Sequence, residues 1–77
     1  MIAALTIHLN GQPHTLDDLT SPVMLATVIT ALGLKADRIA VEHNGEIVPR
    51  TQWPQVNVIN ADRLEIVHFV GGGSTST

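Results

Sequence analysis

One stretch of the chain decides its fold: residues 21–34, SPVMLATVITALGL, carry the helical pattern of the sequence. Ser21 is suited to cap such a helix, and Pro22 suits its first position, where no N–H is needed. Gly33 can adopt the left-handed conformation that ends a helix. We therefore predict a helix from Ser21 to Leu32 whose apolar side chains recur at i, i+3, i+4 and i+7. They are Leu25, Val28, Ile29 and Leu32.

A β-hairpin is predicted before this helix. Apolar and polar residues alternate from Leu5 to Leu9, which is typical of a strand with one buried face. The next two residues, Asn10-Gly11, favour a type I′ turn, because both of its central positions require positive φ. A return strand from Gln12 to Leu16 completes the hairpin.

A second hairpin is predicted after the helix. Its first strand begins at Ile39 and turns at Asn44-Gly45, and its second strand covers residues 46–48. Pro49 follows and ends the strand, because proline has no N–H to donate to a neighbouring strand.

The remaining segment is predicted to contain a connection and a last strand. Residues 51–58 have no clear period, which indicates an irregular or 3₁₀ connection, and Trp53 is predicted to cover the core with its N–H near solvent. A turn at residues 60–62 leads into an apolar strand over residues 64–70. The order β-β-α-β-β-β predicts an α+β fold in which a mixed sheet of four to five strands packs on one helix.

Length and composition limit the functions that the chain can have. Its 77 residues suffice for one small domain, predicted to span residues 1–70, and its formal net charge is −3. The four Lys and Arg residues are scattered along the sequence, which disfavours a nucleic-acid partner. Without cysteine, the chain has no thiolate chemistry and no cysteine-ligated zinc. No apolar run is long enough to span a membrane, so we expect a cytoplasmic protein without a membrane partner.

Residues 71–77, GGGSTST, are predicted to form a flexible tail after the last strand. Three consecutive glycines have no Cβ atoms, so an extended tail of this kind can enter a narrow cleft in another protein. Such a tail suits a chain whose own carboxylate is the reacting group. Glycine content alone leaves a second interpretation open, a flexible tail without a function of its own.

Four separated motifs lie at residues 32–34 (LGL), 46–53 (EIVPRTQW), 62–67 (DRLEIV) and 70–73 (VGGG). Together they resemble the ThiS family, the sulfur carrier proteins of thiamine biosynthesis. The resemblance covers residues 2–73 and implies a ubiquitin-like β-grasp fold.

The resemblance also implies a function. Gly73 would be the modified residue, with Gly71 and Gly72 completing the tail. Its carboxylate would be adenylated with ATP by a ubiquitin-activating-like adenylyltransferase of the ThiF type, and a sulfur donor protein would convert it to a thiocarboxylate. A thiazole synthase of the ThiG type would accept the sulfur. The chain itself would bind no cofactor and would not be an enzyme. Residues 74–77 extend beyond the usual end of the family, so either a protease removes them or this form is inactive.

A partner-binding surface is predicted beside the tail. Val67 and Phe69 lie on the opposite face of the last strand from the apolar Leu64 and Ile66, so we expect them to be exposed. An exposed apolar pair next to a reactive terminus favours docking of a partner. Arg50 is a further candidate for a partner contact.

The histidines do not predict a metal site. None has ligand spacing with a carboxylate beside it on one element, so ordinary surface positions are favoured for His8, His14, His43 and His68. His8 and His68 could be neighbours if the first and last strands pair. Asp62 is interpreted as a turn residue.

Other functions remain open on the sequence. The small subunit of molybdopterin synthase is a carrier of the same kind, although residues 47–50, IVPR, argue against it. A β-grasp interaction module with an unprocessed tail and a ubiquitin-like protein tag are the alternatives from other classes.

Overall fold

The computed structural model describes residues 4–69. They form seven strands, one α-helix and two 3₁₀ helices, the latter at Ala36–Arg38 and Arg50–Gln55. The strands and the α-helix are β1 (Leu5–Leu9), β2 (Gln12–Leu16), β3 (Val23–Met24), α1 (Leu25–Ala31), β4 (Ile39–His43), β5 (Glu46–Ile47), β6 (Asn57–Val58) and β7 (Arg63–His68).

Five strands form one mixed sheet in the order β2-β1-β7-β4-β5. The central strands β1 and β7 are parallel, and the other neighbours are antiparallel. This arrangement confirms the predicted fold class, a β-grasp sheet packed on one helix. The short antiparallel pair of β3 and β6 forms a second sheet that was not predicted.

Both predicted hairpin turns are confirmed. The φ angles are 49° and 83° at Asn10 and Gly11, and 52° and 90° at Asn44 and Gly45. All four lie in the left-handed region that a type I′ turn requires.

The predicted start of the helix is wrong, whereas its predicted end is confirmed. Ser21 and Pro22 precede β3, and the helix begins at Leu25 without a side-chain cap. The Leu25 N–H instead donates to the Val56 carbonyl at 2.8 Å, so a distant segment satisfies a group that a cap would otherwise bind. At the other end Gly33 has φ 75° and its N–H donates to the Thr30 carbonyl at 3.0 Å, as expected for a glycine stop.

The core lies between the helix and the inner face of the large sheet. Trp53 belongs to it, as predicted, but the position predicted for its N–H is wrong. The indole is 4% exposed, and its Nε1–H donates to the buried Val48 carbonyl at 2.9 Å. The core consists of Leu5, Ile7, Leu25, Val28, Ile29, Ile39, Val41, Val48, Trp53, Val58, Leu64 and Ile66.

Within residues 4–69, no helix has the length and apolar character needed to cross a membrane.

Candidate docking surface at the end of the last strand

Strand β7 divides its side chains between the core and the surface. Leu64 and Ile66 are buried, whereas Val67 is 63% exposed and Phe69, directly after the strand, is 60% exposed. Their predicted exposure is therefore confirmed. The predicted tail, including Gly71, Gly72 and the modified Gly73, lies outside the described residues.

The point where the chain leaves the sheet is fixed by a backbone hydrogen bond. The Phe69 N–H donates to the Arg38 carbonyl at 2.9 Å, just before β4 begins. Phe69 is thus held beside the 3₁₀ helix Ala36–Arg38, and the first glycine of the predicted tail is two positions further along the chain.

Beside Phe69 lies an apolar groove of about 340 Å³. Phe69 lines it together with Ile47, Pro49, Trp53 and Arg50. Ile47 is 75% exposed, so the rim of the groove offers apolar area to a partner. The structure therefore brings together two of the predicted partner-binding residues, Phe69 and Arg50.

Phe69 also lines a basic pocket of about 260 Å³, together with Lys35, Arg38 and His68 among others. Val67, the third predicted partner-binding residue, lines neither cavity. It is exposed and pairs with Ala40 of β4, which itself lines the apolar groove, so Val67 lies next to the groove.

Asp62 is more than a turn residue. It is buried, its Oδ2 lies 2.7 Å from the ring Nε2 of His43, and it also accepts hydrogen bonds from the Ile59 N–H and the Asn44 side-chain amide. Burial raises the pKa of the Asp62 carboxyl, but the hydrogen bonds from Ile59, His43 and Asn44 outweigh burial and hold this pKa below its ordinary value of 3.8. The prediction that His43 is an ordinary surface residue is therefore wrong.

The other histidines do not gather into a site. Strands β1 and β7 pair as predicted, but they run parallel, so His8 aligns with Arg63 and His68 lies five residues further along β7. The prediction that His8 and His68 are neighbours is wrong for this reason. In the part of the chain that the structure describes, no group of three or more His, Asp or Glu side chains could hold a metal ion.

Sequence reasoning missed Lys35, Arg38 and Ile47 as neighbours of Phe69. Lys35 and Arg38 are far from Phe69 along the chain, and they reach it only because β4 pairs antiparallel with β7. A prediction of that register, extended by one residue beyond His68, would have placed Arg38 opposite Phe69.

The chain matches the model of the ThiS family over residues 7–73. A thiazole synthase of Magnetococcus marinus is 39% identical over 67 residues, which are 87% of this chain and 20% of that protein. A thiazole synthase of Paramagnetospirillum magneticum is 38% identical over 86% of this chain and 19% of its own length. The chain thus spans about a fifth of the length of these relatives.

Smaller relatives and solved structures agree with the family model. The sulfur carrier protein ThiS of Bacillus subtilis is 46% identical over 35 residues, 46% of this chain and 53% of that protein. The crystal structure of the thiamine biosynthesis protein ThiS from Geobacter metallireducens superposes with a TM-score of 0.76 at 30% identity, covering 90% of this chain and all of that one. From the family match, the shared fold and the glycine run together, we conclude that this chain belongs to the ThiS family.

Proposed function

We propose that this chain is a sulfur carrier for thiamine biosynthesis and that the carboxylate of Gly73 carries the sulfur. The observation that supports this most is the extent of the family match, which ends at Gly73, the third glycine of the run. As a member of the ThiS family, the chain acts as a protein substrate and carrier rather than as an enzyme.

Adenylation activates the Gly73 carboxylate for attack by a sulfur nucleophile. A carboxylate is a poor electrophile, so an adenylyltransferase transfers AMP from ATP to the Gly73 carboxylate and releases pyrophosphate. A sulfur nucleophile, delivered by a donor protein at the oxidation level of hydrosulfide, then displaces AMP and leaves a thiocarboxylate. ATP is bound by the activating partner, and the carrier contributes only the reacting group.

The predicted tail joins the Gly73 carboxylate to the rest of the carrier. Gly73 is four residues beyond Phe69, so an extended tail reaches at most about 14 Å from the surface described above. A partner that reacts with Gly73 must therefore approach the groove and the basic pocket beside Phe69. We propose that Phe69 and Arg50 contact this partner and that Val67 extends the contact along the sheet.

We propose a thiazole synthase of the ThiG type as the acceptor of the sulfur. Two relatives named thiazole synthase contain a region similar to this chain within a longer protein. In those proteins the carrier-like region and the remaining chain are covalently joined, which supports a working association between a carrier and a thiazole synthase.

Release of the Gly73 carboxylate requires cleavage of one peptide bond. In this sequence Ser74 follows Gly73, so the carboxyl group is an amide until residues 74–77 are removed. We propose that a protease removes them and that the active chain ends at Gly73.

Three chains test this proposal, ending at Gly72, Gly73 and Thr77. Each is incubated with the adenylyltransferase of its host, and ATP–pyrophosphate exchange is measured. We expect exchange with the chain that ends at Gly73 and background with the other two, since the chain ending at Gly72 controls for tail length. Equal exchange by the chains ending at Gly73 and Thr77 would contradict the need for processing.

A further inference from the structure

Each of the two outermost strands of the large sheet is associated with a proline. Strands β2 and β5 end the strand order, so within residues 4–69 each has one side with no neighbouring strand. Such an edge displays the N–H and C=O groups of alternate residues, and a strand of another chain can pair with them. Pro13 lies within β2, and Pro49 lies two positions after Ile47, the last residue of β5.

The hydrogen bonds of β1 show which way the main chain of β2 points at Pro13. The His8 N–H donates to the Asp62 carbonyl at 2.9 Å, so the main chain of His8 faces away from β2. Pro13 is opposite His8 in the antiparallel register, and the main chains of such a pair either face each other or both face away. The main chain of Pro13 therefore points outward from the sheet, as does that of Thr15 two positions further. Because proline has no N–H, Thr15 supplies the one outward N–H of β2.

The opposite edge of the sheet repeats this arrangement. The Val48 N–H donates to the Val41 carbonyl at 3.0 Å, so the main chain of Val48 faces β4. The direction alternates along an extended chain, and Pro49 is extended, with φ −59° and ψ 144°. The main chains of Ile47 and Pro49 therefore point outward. Since Pro49 has no N–H, Ile47 supplies the one outward N–H of residues 46–49.

A second copy of the chain could pair with either edge, and the prolines weaken that pairing. Two β2 strands related by a two-fold axis through His14 run antiparallel, with residue 13 of one copy opposite residue 15 of the other. If position 13 had an N–H, each of these opposite pairs would exchange both of its N–H···O bonds, and Pro13 removes half of them. The same holds for two copies that pair about Val48, where residue 47 is opposite residue 49.

We propose that Pro13 and Pro49 prevent the edges of the sheet from pairing with a second copy of this chain. Residues 12–15 of β2 are exposed, so the fold itself leaves that edge open. At the other edge Ile47 and Pro49 line the apolar groove, and Ile47 is exposed. A copy paired along β5 would therefore cover the groove, and Pro49 keeps it accessible. This inference concerns self-association and does not rest on the proposed function.

Threonine substitutions on β2 test the first edge. Pro13→Thr adds an outward N–H, while Gln12→Thr places the same residue on the same strand where the main chain faces β1. Analytical ultracentrifugation over a range of protein concentrations measures the dimer dissociation constant. For Pro13→Thr we expect a value at least about tenfold below those of the unsubstituted chain and Gln12→Thr. Equal dissociation constants for all three, or no association of any, would overturn the proposal.

A second pair of variants tests the other edge. Pro49→Thr adds an outward N–H beside β5, while Pro54→Thr replaces an exposed proline of the 3₁₀ helix Arg50–Gln55, which lies outside the sheet. We expect Pro49→Thr to lower the dimer dissociation constant at least about tenfold and Pro54→Thr to leave it unchanged. Equal effects of the two substitutions would overturn the role of Pro49.

Backbone amide NMR signals of the isotope-labelled variants locate the contact. In Pro13→Thr the signals of residues 12–16 should shift as the protein concentration rises, and in Pro49→Thr those of residues 46–49 should shift instead. Pro13→Ala supplies the same N–H with a smaller side chain and should shift residues 12–16 as well. Association through any other part of the chain would contradict pairing of the edges. Circular dichroism melting curves confirm that each variant is folded.

Discussion

Replacing Asp62 with alanine should lower the free energy of unfolding, because this carboxylate joins residues 43–44 to the turn at residues 59–62. Its Oδ2 accepts hydrogen bonds from the His43 ring at 2.7 Å and from the Ile59 N–H at 3.0 Å, and its Oδ1 accepts one from the Asn44 side-chain amide at 3.2 Å. The Asp62 side chain is only 11% exposed, so water cannot readily replace these partners. Alanine would leave the Ile59 N–H and the His43 ring without their acceptor.

The size of the loss follows from these contacts. A hydrogen bond to a charged group contributes about 1.5–3 kcal/mol, and bonds within one network are not additive, so we expect a total of about 2–4 kcal/mol. A domain of this length has a free energy of unfolding of about 4–12 kcal/mol. The melting temperature should fall by roughly 10–25 °C.

Thermal unfolding followed by circular dichroism at neutral pH measures this loss. Asp17→Asn is the matched control, since Asp17 is exposed and forms none of these contacts, and its effect should stay within about 0.5 kcal/mol. Equal melting temperatures for Asp62→Ala and Asp17→Asn would refute the stabilising role of the network.

The stabilisation by Asp62 should depend on pH. Because the pKa of Asp62 in the folded chain lies below its ordinary value of 3.8, the ionised carboxylate stabilises the fold. This stabilisation is fully present above pH 3.8 and is lost as the pH falls through the lower pKa of the folded state. The difference in unfolding free energy between the unsubstituted chain and Asp62→Ala should therefore shrink in this acidic range. A difference that stays constant down to about pH 2 would contradict the lowered pKa.

Three further substitutions separate packing, backbone conformation and binding. Trp53→Phe should cost about 1–3 kcal/mol in chemical denaturation, because it leaves the buried Val48 carbonyl without the indole N–H, and a loss below about 0.5 kcal/mol would contradict that hydrogen bond. Gly33→Ala should cost about 1 kcal/mol in the same assay, since φ is 75° there while no atom beyond the neighbouring backbone lies within 4 Å of the added Cβ. An unchanged stability would refute the conformational argument. Phe69→Ser should weaken binding to the adenylyltransferase about tenfold, as measured by calorimetry. The melting temperature should change little, because Phe69 is 60% exposed. A large fall in melting temperature would instead place Phe69 in the core.

Local sequence signals predicted the features that depend on local chemistry. Asn10-Gly11 and the other Asn-Gly pair specify their turns because both residues adopt positive φ at low cost, and Gly33 ends the helix for the same reason. The start of the helix depends instead on distant residues: Val23 and Met24 pair with β6, and the Val56 carbonyl binds the first helical N–H at Leu25. Propensity near Ser21 carries no information about that distant contact.

The candidate site was predictable only in part for a related reason. Alternation along the last strand predicts the exposure of Phe69, because successive side chains point to opposite faces. The basic neighbours of Phe69 and the partner of His43 depend on which strands pair and in what register. Periodicity within one strand does not show which strands pair. It therefore does not predict that Lys35 and Arg38 lie beside Phe69.

The central claim is that the carboxylate of Gly73 carries sulfur, and the intact mass of the protein purified untagged from its native host tests it most directly. The account predicts chains that end at Gly73, with a fraction heavier by the exchange of one oxygen for one sulfur. Chains that extend unchanged through Thr77, without any sulfur-bearing species, would contradict it and favour an interaction module, and stable conjugates to other proteins would favour a protein tag.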